Sequence, residues 1–213
     1  MARLQLVAAT RNPGKLAEIR GLLSRLDVTV RALDDYPGAP EPEETGATFR
    51  ENAVIKAVAA ASFTGEVAVA DDSGLVVDAL GGAPGVMSAR YGGSGLSDQG
   101  RYERLLAEME RVPDAERTAR FACVVAVALP DGSVSSAEGV VEGAIARAPR
   151  GTGGFGYDPV FFIPELGMTF GELPPATKNS MSHRARALAG AEPLILEALS
   201  RWSARRKPGR EVR

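Results

Sequence analysis

The sequence predicts an α/β protein, a mixed β-sheet flanked by helices, built as one large domain or as two lobes that share a core. Three observations predict it. Through the first half of the chain, short apolar runs bounded by turn residues alternate with stretches whose apolar residues recur at helical spacing, as sheets with crossover helices require. Later, the runs Phe121 to Leu129 and Val134 onward are separated by little more than Pro130-Asp131-Gly132, a hairpin signal, so the sheet is mixed and not purely parallel. Finally, 213 residues with 45% hydrophobic and 24% charged side chains suit a soluble globular chain of that size.

In chain order, Leu4-Gln5-Leu6-Val7-Ala8-Ala9 reads as a first strand. Leu16, Ile19, Leu23 and Leu26 predict a helix starting near Gly14 or Lys15, which leaves Thr10-Arg11-Asn12-Pro13-Gly14-Lys15 as a polar strand-to-helix loop. Thr48-Phe49-Arg50-Glu51 has the form of a capping box and opens a second helix through Ala53, Ile55, Ala57 and Ala60. Val67 to Ala70 predicts a buried strand that ends in an acidic turn, Asp71-Asp72-Ser73-Gly74, before Leu75-Val76-Val77 resumes an extended run. A third helix covers about Asp98 to Arg111, with Leu105, Leu106 and Met109 on its buried side. After the hairpin, a glycine-rich loop from Gly151 to Gly156 leads to a strand at Val160-Phe161-Phe162-Ile163. The chain closes in helix from about Ser180 to Trp202, with a break at Gly190 to Pro193. Residues 1–203 are read as the folded domain, and 204–213, with Arg205, Arg206, Lys207, Arg210 and Arg213, as a frayed basic tail.

Composition narrows the function classes. A net charge of −2 argues against a surface built to bind nucleic acid or an anionic membrane. The single cysteine, Cys123, lies in an apolar run and excludes an intrachain disulfide or a cysteine-based zinc site. With His183 the single histidine, a His-rich metal centre is excluded too. The apolar stretch after Arg3 is too short for a signal peptide and no stretch reaches membrane-spanning length, so a reducing cytoplasm is the expected compartment.

The chemistry-bearing candidates are scattered. Asp71-Asp72 at a strand end is either a solvated acidic turn or half of a site for a hard cation such as magnesium. The loop Thr10 to Lys15 offers amides at a helix start and a lysine in the first turn, either a phosphate cradle or a simple turn. It is not a Walker A loop, since Leu16 stands where the hydroxyl would be. Gly151-Thr152-Gly153-Gly154-Phe155-Gly156 formally matches Gly-x-Gly-x-x-Gly, but Tyr157-Asp158-Pro159 and a strand follow it where a dinucleotide fold needs a helix. Phe155 and Tyr157 on that loop suit stacking against a nucleobase, or Phe155 seals the core edge. Lys178, His183 and Arg184 supply donors for carbonyl or phosphate oxygens, or form a solvated surface cluster. Glu44 and Lys56 complete the set, with Asn52 sharing a helix face with Lys56. Together these parts fit a nucleoside triphosphate.

In sequence order, the blocks Ala9 to Lys15, Glu43 to Ala53, Ala70 to Leu75 with Gly81 to Gly85, Ser88 to Tyr91, Gly153 to Pro159 and Ser182 to Arg184 resemble the inosine/xanthosine triphosphate pyrophosphatase family. The resemblance runs from about Leu4 to Leu199. It implies two α/β lobes around a long mixed sheet with a central cleft, a homodimer, and magnesium-dependent hydrolysis of ITP, dITP and XTP to monophosphate and pyrophosphate. It implies Asp72 as general base and metal contact, with Glu44 its metal partner. Thr10, Arg11, Asn12, Pro13, Gly14, Lys15 and Lys56 then hold the triphosphate, and Ser73 contacts the substrate beside Asp72. Phe155 stacks on the purine, Gly156, Tyr157 and Asp158 line its pocket, and Lys178, His183 and Arg184 read the base. Asp71 is the supporting carboxylate. Two other readings are a nucleotide pyrophosphatase of the septum-inhibitor (Maf) type with different base specificity, which lacks the Gly153 to Pro159 and Ser182 to Arg184 blocks, and a non-catalytic nucleotide-binding module.

Overall fold

In the computed structural model, which describes residues 4–93 and 95–206, a seven-stranded sheet carries five helices. The strands are β1 (Leu4–Ala8), β2 (Val28–Ala32), β3 (Val67–Val77), β4 (Thr118–Ala128), β5 (Val134–Ile145), β6 (Phe161–Ile163) and β7 (Met168–Thr169), and they lie in the order β2-β1-β3-β4-β5-β6-β7. The helices are α1 (Pro13–Leu22), α2 (Phe49–Thr64), α3 (Asp98–Glu108), α4 (Pro175–Met181) and α5 (His183–Arg206). β1 pairs in parallel with β2 and β3, whereas β6 pairs antiparallel with β5 and β7, so the sheet is mixed as predicted.

The chain divides into two compact units, and neither is contiguous in sequence. The first takes the chain up to Asp72, Val124–Glu138 and the chain from Ala187 onward; the second takes Ser73–Cys123 and Gly139–Arg186. β3, β4 and β5 therefore each contribute residues to both.

The core of the first unit is unusually small-sided. Ala53, Ala57, Ala60 and Ala61 form one face of α2 and pack with Ala68 and Ala70 of β3 and Ala126 and Ala128 of β4. Small residues on both partners let helix and sheet approach closely, and Val7, Leu33 and Val124 fill the remaining space. The capping box fixes where α2 begins: Glu51 N–H donates to Thr48 Oγ1 at 3.1 Å and Thr48 N–H to Glu51 Oε2 at 3.1 Å. Gly65, left-handed at φ 66°, ends it. The second unit is aromatic. Phe121, Phe161 and Phe170 form its centre, with ring centroids 4.6 to 5.9 Å apart, and Leu75, Val77, Leu105, Met109 and Ile145 surround them.

The structure differs from the sequence reading in four places. The acidic turn is not a turn: β3 runs unbroken from Val67 to Val77, and Asp71-Asp72-Ser73-Gly74 are strand residues. Partner lysines compensate the carboxylates inside the sheet, and that outweighs the turn preference of Asp, Ser and Gly. The expected break in the last helix is absent; instead Ser182 separates α4 from an α5 that passes through Gly190 and Pro193. Buried Leu188, Ala191, Ile195, Ala198 and Leu199 hold α5 through those positions. Within the stretch expected to be a basic tail, Ala204, Arg205 and Arg206 are helical and Arg206 donates to Glu66 Oε1 at 2.7 Å. The remainder of the tail lies outside the described residues. β2 and β7, both at sheet edges, had no counterpart in the prediction.

Candidate active site

The first unit gathers three carboxylates and two lysines around the middle of β3. Successive residues of a strand face opposite ways, so Asp72 shares the face of Ala68 and Ala70, which pack with α2, and Asp71 takes the other face. α2 meets Asp72 with two side chains one turn apart. Lys56 Nζ lies 3.0 Å from Asp72 Oδ1 and Asn52 Nδ2 lies 3.4 Å from Asp72 Oδ2. The same ammonium donates to Glu44 Oε1 at 2.7 Å. On the opposite face Lys15 Nζ holds Asp71 Oδ2 at 3.1 Å.

Local structure sets each of these positions. Asn52 is fully buried, and its Oδ1 accepts from Gly46 N–H at 2.8 Å, which fastens the loop carrying Glu44 to α2. A Cβ on Gly46 would stand 2.6 Å from that oxygen, so only glycine allows the approach. At the other end, Asn12 caps α1 by accepting from Lys15 N–H at 3.1 Å, with Pro13 in the first turn. Asn12 N–H in turn donates to Thr10 Oγ1 at 3.2 Å. Pro13 has no N–H and the Lys15 and Leu16 amides donate to Asn12, so of the first turn the Gly14 amide is the one this helix start offers to an anion. Gly14 falls in the first turn of that helix.

The surroundings make Asp72 more basic than an ordinary carboxylate. Burial lifts the Asp72 carboxyl above the usual carboxylate range, outweighing the attraction of Lys56 and Lys15, and Glu44 adds to the rise. Burial works against the Lys56 ammonium, but Asp72, Glu44 and Asp71 more than offset it and hold its pKa above the ordinary lysine value. Among the described residues no three His, Cys, Asp or Glu side chains converge as a ready cage. Two hard carboxylates that already share one cationic group do fit magnesium, which takes one or two protein carboxylates and completes its shell with phosphate oxygens and water.

The second unit presents an aromatic ring flanked by cations. Phe155 is 36% exposed, with Lys178 Nζ 4.8 Å and the Arg184 guanidinium 5.8 Å from its ring centroid. Asp158 Oδ2 accepts from both Lys178 Nζ and the Phe155 amide at 2.7 Å. Arg184 donates to Ser73 Oγ at 3.1 Å. Lys178, His183 and Arg184 are all buried, so they do not form the solvated surface cluster that was the alternative.

Three predicted residues have further contacts of their own. Tyr157 is not an exposed stacking partner: its ring belongs to the buried core and its hydroxyl donates to the Ser88 carbonyl at 2.9 Å. Arg11 is engaged by Asp34, Glu41 and the Ala39 carbonyl. The His183 ring stacks on Phe121, centroids 4.7 Å apart. Asn52 joins the site beyond the predicted residues, and its four-residue spacing from Lys56 on one helix face is the sequence signal for it. A cavity of about 610 Å³ in the second unit, bordered by Asp114, Arg117, Arg147, Arg150 and Phe162, contains none of the predicted residues. Its arginines are already engaged: Arg117 donates to the carbonyls of Ile145, Met109 and Ala146, Arg147 to Asp114 and the carbonyls of Glu110 and Val112, and Arg150 pairs with Glu172 and lies over the Phe162 ring.

Hard carboxylate oxygens interleaved with ammonium groups suit phosphate chemistry, so fold and site define a phosphate-handling α/β protein. The family model of the Ham1 family matches residues 6–193. A dITP/XTP pyrophosphatase of Geobacter sulfurreducens is 55% identical over 87% of this chain and 93% of its own length. Among solved structures, a HAM1 protein from Coxiella burnetii superimposes with a TM-score of 0.84 at 44% identity, over 92% of this chain and all of that one. A nucleoside-triphosphatase, dITP/XTP pyrophosphatase, from Mycobacterium abscessus gives a TM-score of 0.74 at 44% identity, over 89% and 99% of the two chains. This chain belongs to the Ham1 family, in agreement with the motifs in its sequence.

Proposed function

We propose that the protein hydrolyses non-canonical purine nucleoside triphosphates (dITP, ITP and XTP) to the monophosphate and pyrophosphate, with magnesium. That it is a nucleoside triphosphate pyrophosphatase follows from its family and from relatives so named. The observation that carries the finer reading is the Glu44–Lys56–Asp72 cluster, in which one ammonium joins two carboxylates.

In this mechanism Asp72 takes the proton of a water that attacks the α-phosphorus, and pyrophosphate leaves. A carboxylate held above its usual range is better matched to that task. Lys56 spends two of its three N–H donors on Glu44 and Asp72, which leaves one for a phosphate oxygen. Lys15 engages Asp71 and keeps donors for the leaving group beside the start of α1. Magnesium, when bound by Glu44 and Asp72, supplies positive charge to the phosphates. Phe155 takes the purine face, and the 6-oxo group of hypoxanthine or xanthine accepts from Lys178 or Arg184. The 6-amino group of adenine cannot accept, and would leave those donors unpaired. Ser73 follows Asp72 directly in β3, so a single strand carries the base and the residue that Arg184 grips. The homodimer and the cytoplasmic setting that the resemblance implies are part of this proposal.

A nucleotide panel with and without magnesium, reading pyrophosphate against orthophosphate, tests it. The expected result is pyrophosphate from dITP, ITP and XTP and little product from ATP. Equal turnover of ATP and ITP would refute the base-reading account, and orthophosphate as the product would refute cleavage at the α–β linkage.

A further inference from the structure

Besides the bond from Gly153 N–H to the Gly171 carbonyl at 2.9 Å, two carboxylates fasten the loop that carries Phe155, and one of them lies outside every motif discussed above. Asp158 holds the Phe155 amide from within the loop. From α3, 58 residues away in sequence, Asp98 Oδ2 accepts from the Gly156 N–H at 2.8 Å. Its other oxygen accepts from Arg101 at 2.6 Å. Asp98 is not needed to cap its own helix, because Ser97 Oγ already accepts from Gly100 N–H at 3.1 Å. Burial does not dictate its place either, since its side chain is 52% exposed.

The bonded amide sits where the chain turns. Gly156 is left-handed at φ 62°, and so is Gly154 at φ 75°, so Phe155 lies between two residues with the widest backbone freedom. Beyond them Tyr157 is locked into the core by its ring and its hydroxyl. A charge-assisted bond to the Gly156 amide removes the freedom that the glycine would otherwise give.

We propose that Asp98 is a positioning residue for purine recognition: it clamps the Gly156 amide and thereby holds the Phe155 ring ready to receive a base. The clamp rests on the function proposed above. Without it, binding must first order the loop, and that cost falls on affinity; the phosphate chemistry at Asp72 is untouched.

Steady-state kinetics on dITP with Asp98→Ala, Asp98→Asn and Ser97→Ala test the idea, together with hydrogen exchange over residues 153–158. For Asp98→Ala we expect KM to rise about three- to tenfold with kcat within about twofold, and faster exchange at the loop amides. Asp98→Asn keeps an acceptor oxygen at the same reach and should restore KM toward the wild-type value. Ser97→Ala removes the helix cap and spares the clamp, so it should leave KM and loop exchange unchanged. An unchanged KM in Asp98→Ala, or an equal rise in Ser97→Ala, overturns the clamp. If the wild type releases no pyrophosphate from dITP, the functional reading has failed, and exchange then decides alone: unaltered exchange in Asp98→Ala overturns the clamp, and selective acceleration supports it.

Discussion

Asp71 and Asp72 are neighbours in sequence, but the pleat of β3 gives them different partners, Lys15 for one and Lys56 with Asn52 for the other. That division is the physical basis for assigning the base to Asp72 and a supporting place to Asp71. Replacing Asp72 with Asn should lower kcat by about 10²- to 10⁴-fold, the usual contribution of a general base. Burial disfavours the charged form of Asp72, so the neutral amide should leave the thermal midpoint no lower than that of the wild type. Near-normal turnover in this variant would remove Asp72 from the role. Tyr157 makes a second residue-level prediction. Burial raises its phenol above the ordinary value, and its hydroxyl serves the Ser88 carbonyl. The folded protein therefore keeps the phenolic proton where the unfolded chain has lost it, so the stability present below about pH 10 falls as pH rises past that point. Tyr91, pushed up to about 12 by burial and by its bond to Glu108, adds to the same decline. Thermal melts at pH 9 and pH 11 should show a steeper loss for the wild type than for Tyr157→Phe, although the variant starts lower at pH 9. Parallel losses would exclude Tyr157 as the source.

At the scale of elements, α2 organises the phosphate side of the site, because it carries Asn52 and Lys56 and anchors the Glu44 loop through Gly46. Gly46→Ala should therefore act on catalysis more than on folding. The new methyl meets Asn52 Oδ1 and the Glu51 Cβ at 2.6 Å, the loop must withdraw, and Glu44 leaves Lys56. A fall of about tenfold or more in kcat/KM is expected, with the denaturant midpoint lowered by no more than a typical surface change. Wild-type kcat/KM would show that Glu44 does not depend on this approach. Much of α2 could be read from the sequence, since Thr48 and Glu51 announce its start and the alanine periodicity its buried face. The strand at Asp71-Asp72 could not. Asp, Ser and Gly are turn formers by local preference, and the lysines that neutralise the acids come from positions 15 and 56, far along the chain. β2 is legible as well, since Val28-Thr29-Val30-Arg31-Ala32 alternates apolar and polar side chains, but five residues at a sheet edge make the signal short. The stacking of Phe121 on His183 has no local signal, because the two residues lie far apart in the chain.

For the whole molecule, the family and the mixed α/β sheet were both evident from ordered motifs spread along the chain. The role of the metal is a prediction at this scale. Excess chelator should stop pyrophosphate release and leave the far-ultraviolet circular dichroism unchanged, because Lys15 and Lys56 hold the acids in place without it. Added magnesium should restore turnover, and activity that survives the chelator would remove magnesium from the reaction. The interrupted make-up of the two units carries one more consequence, for how the chain is made. All segments of the second unit have left the ribosome once Arg186 emerges. The first unit holds Glu44, Lys56 and Asp72, all made early, but it also needs the end of β4, the start of β5 and α5 from Ala187 onward. During translation the residues proposed for catalysis are thus made early, and the helix that completes their unit is made last.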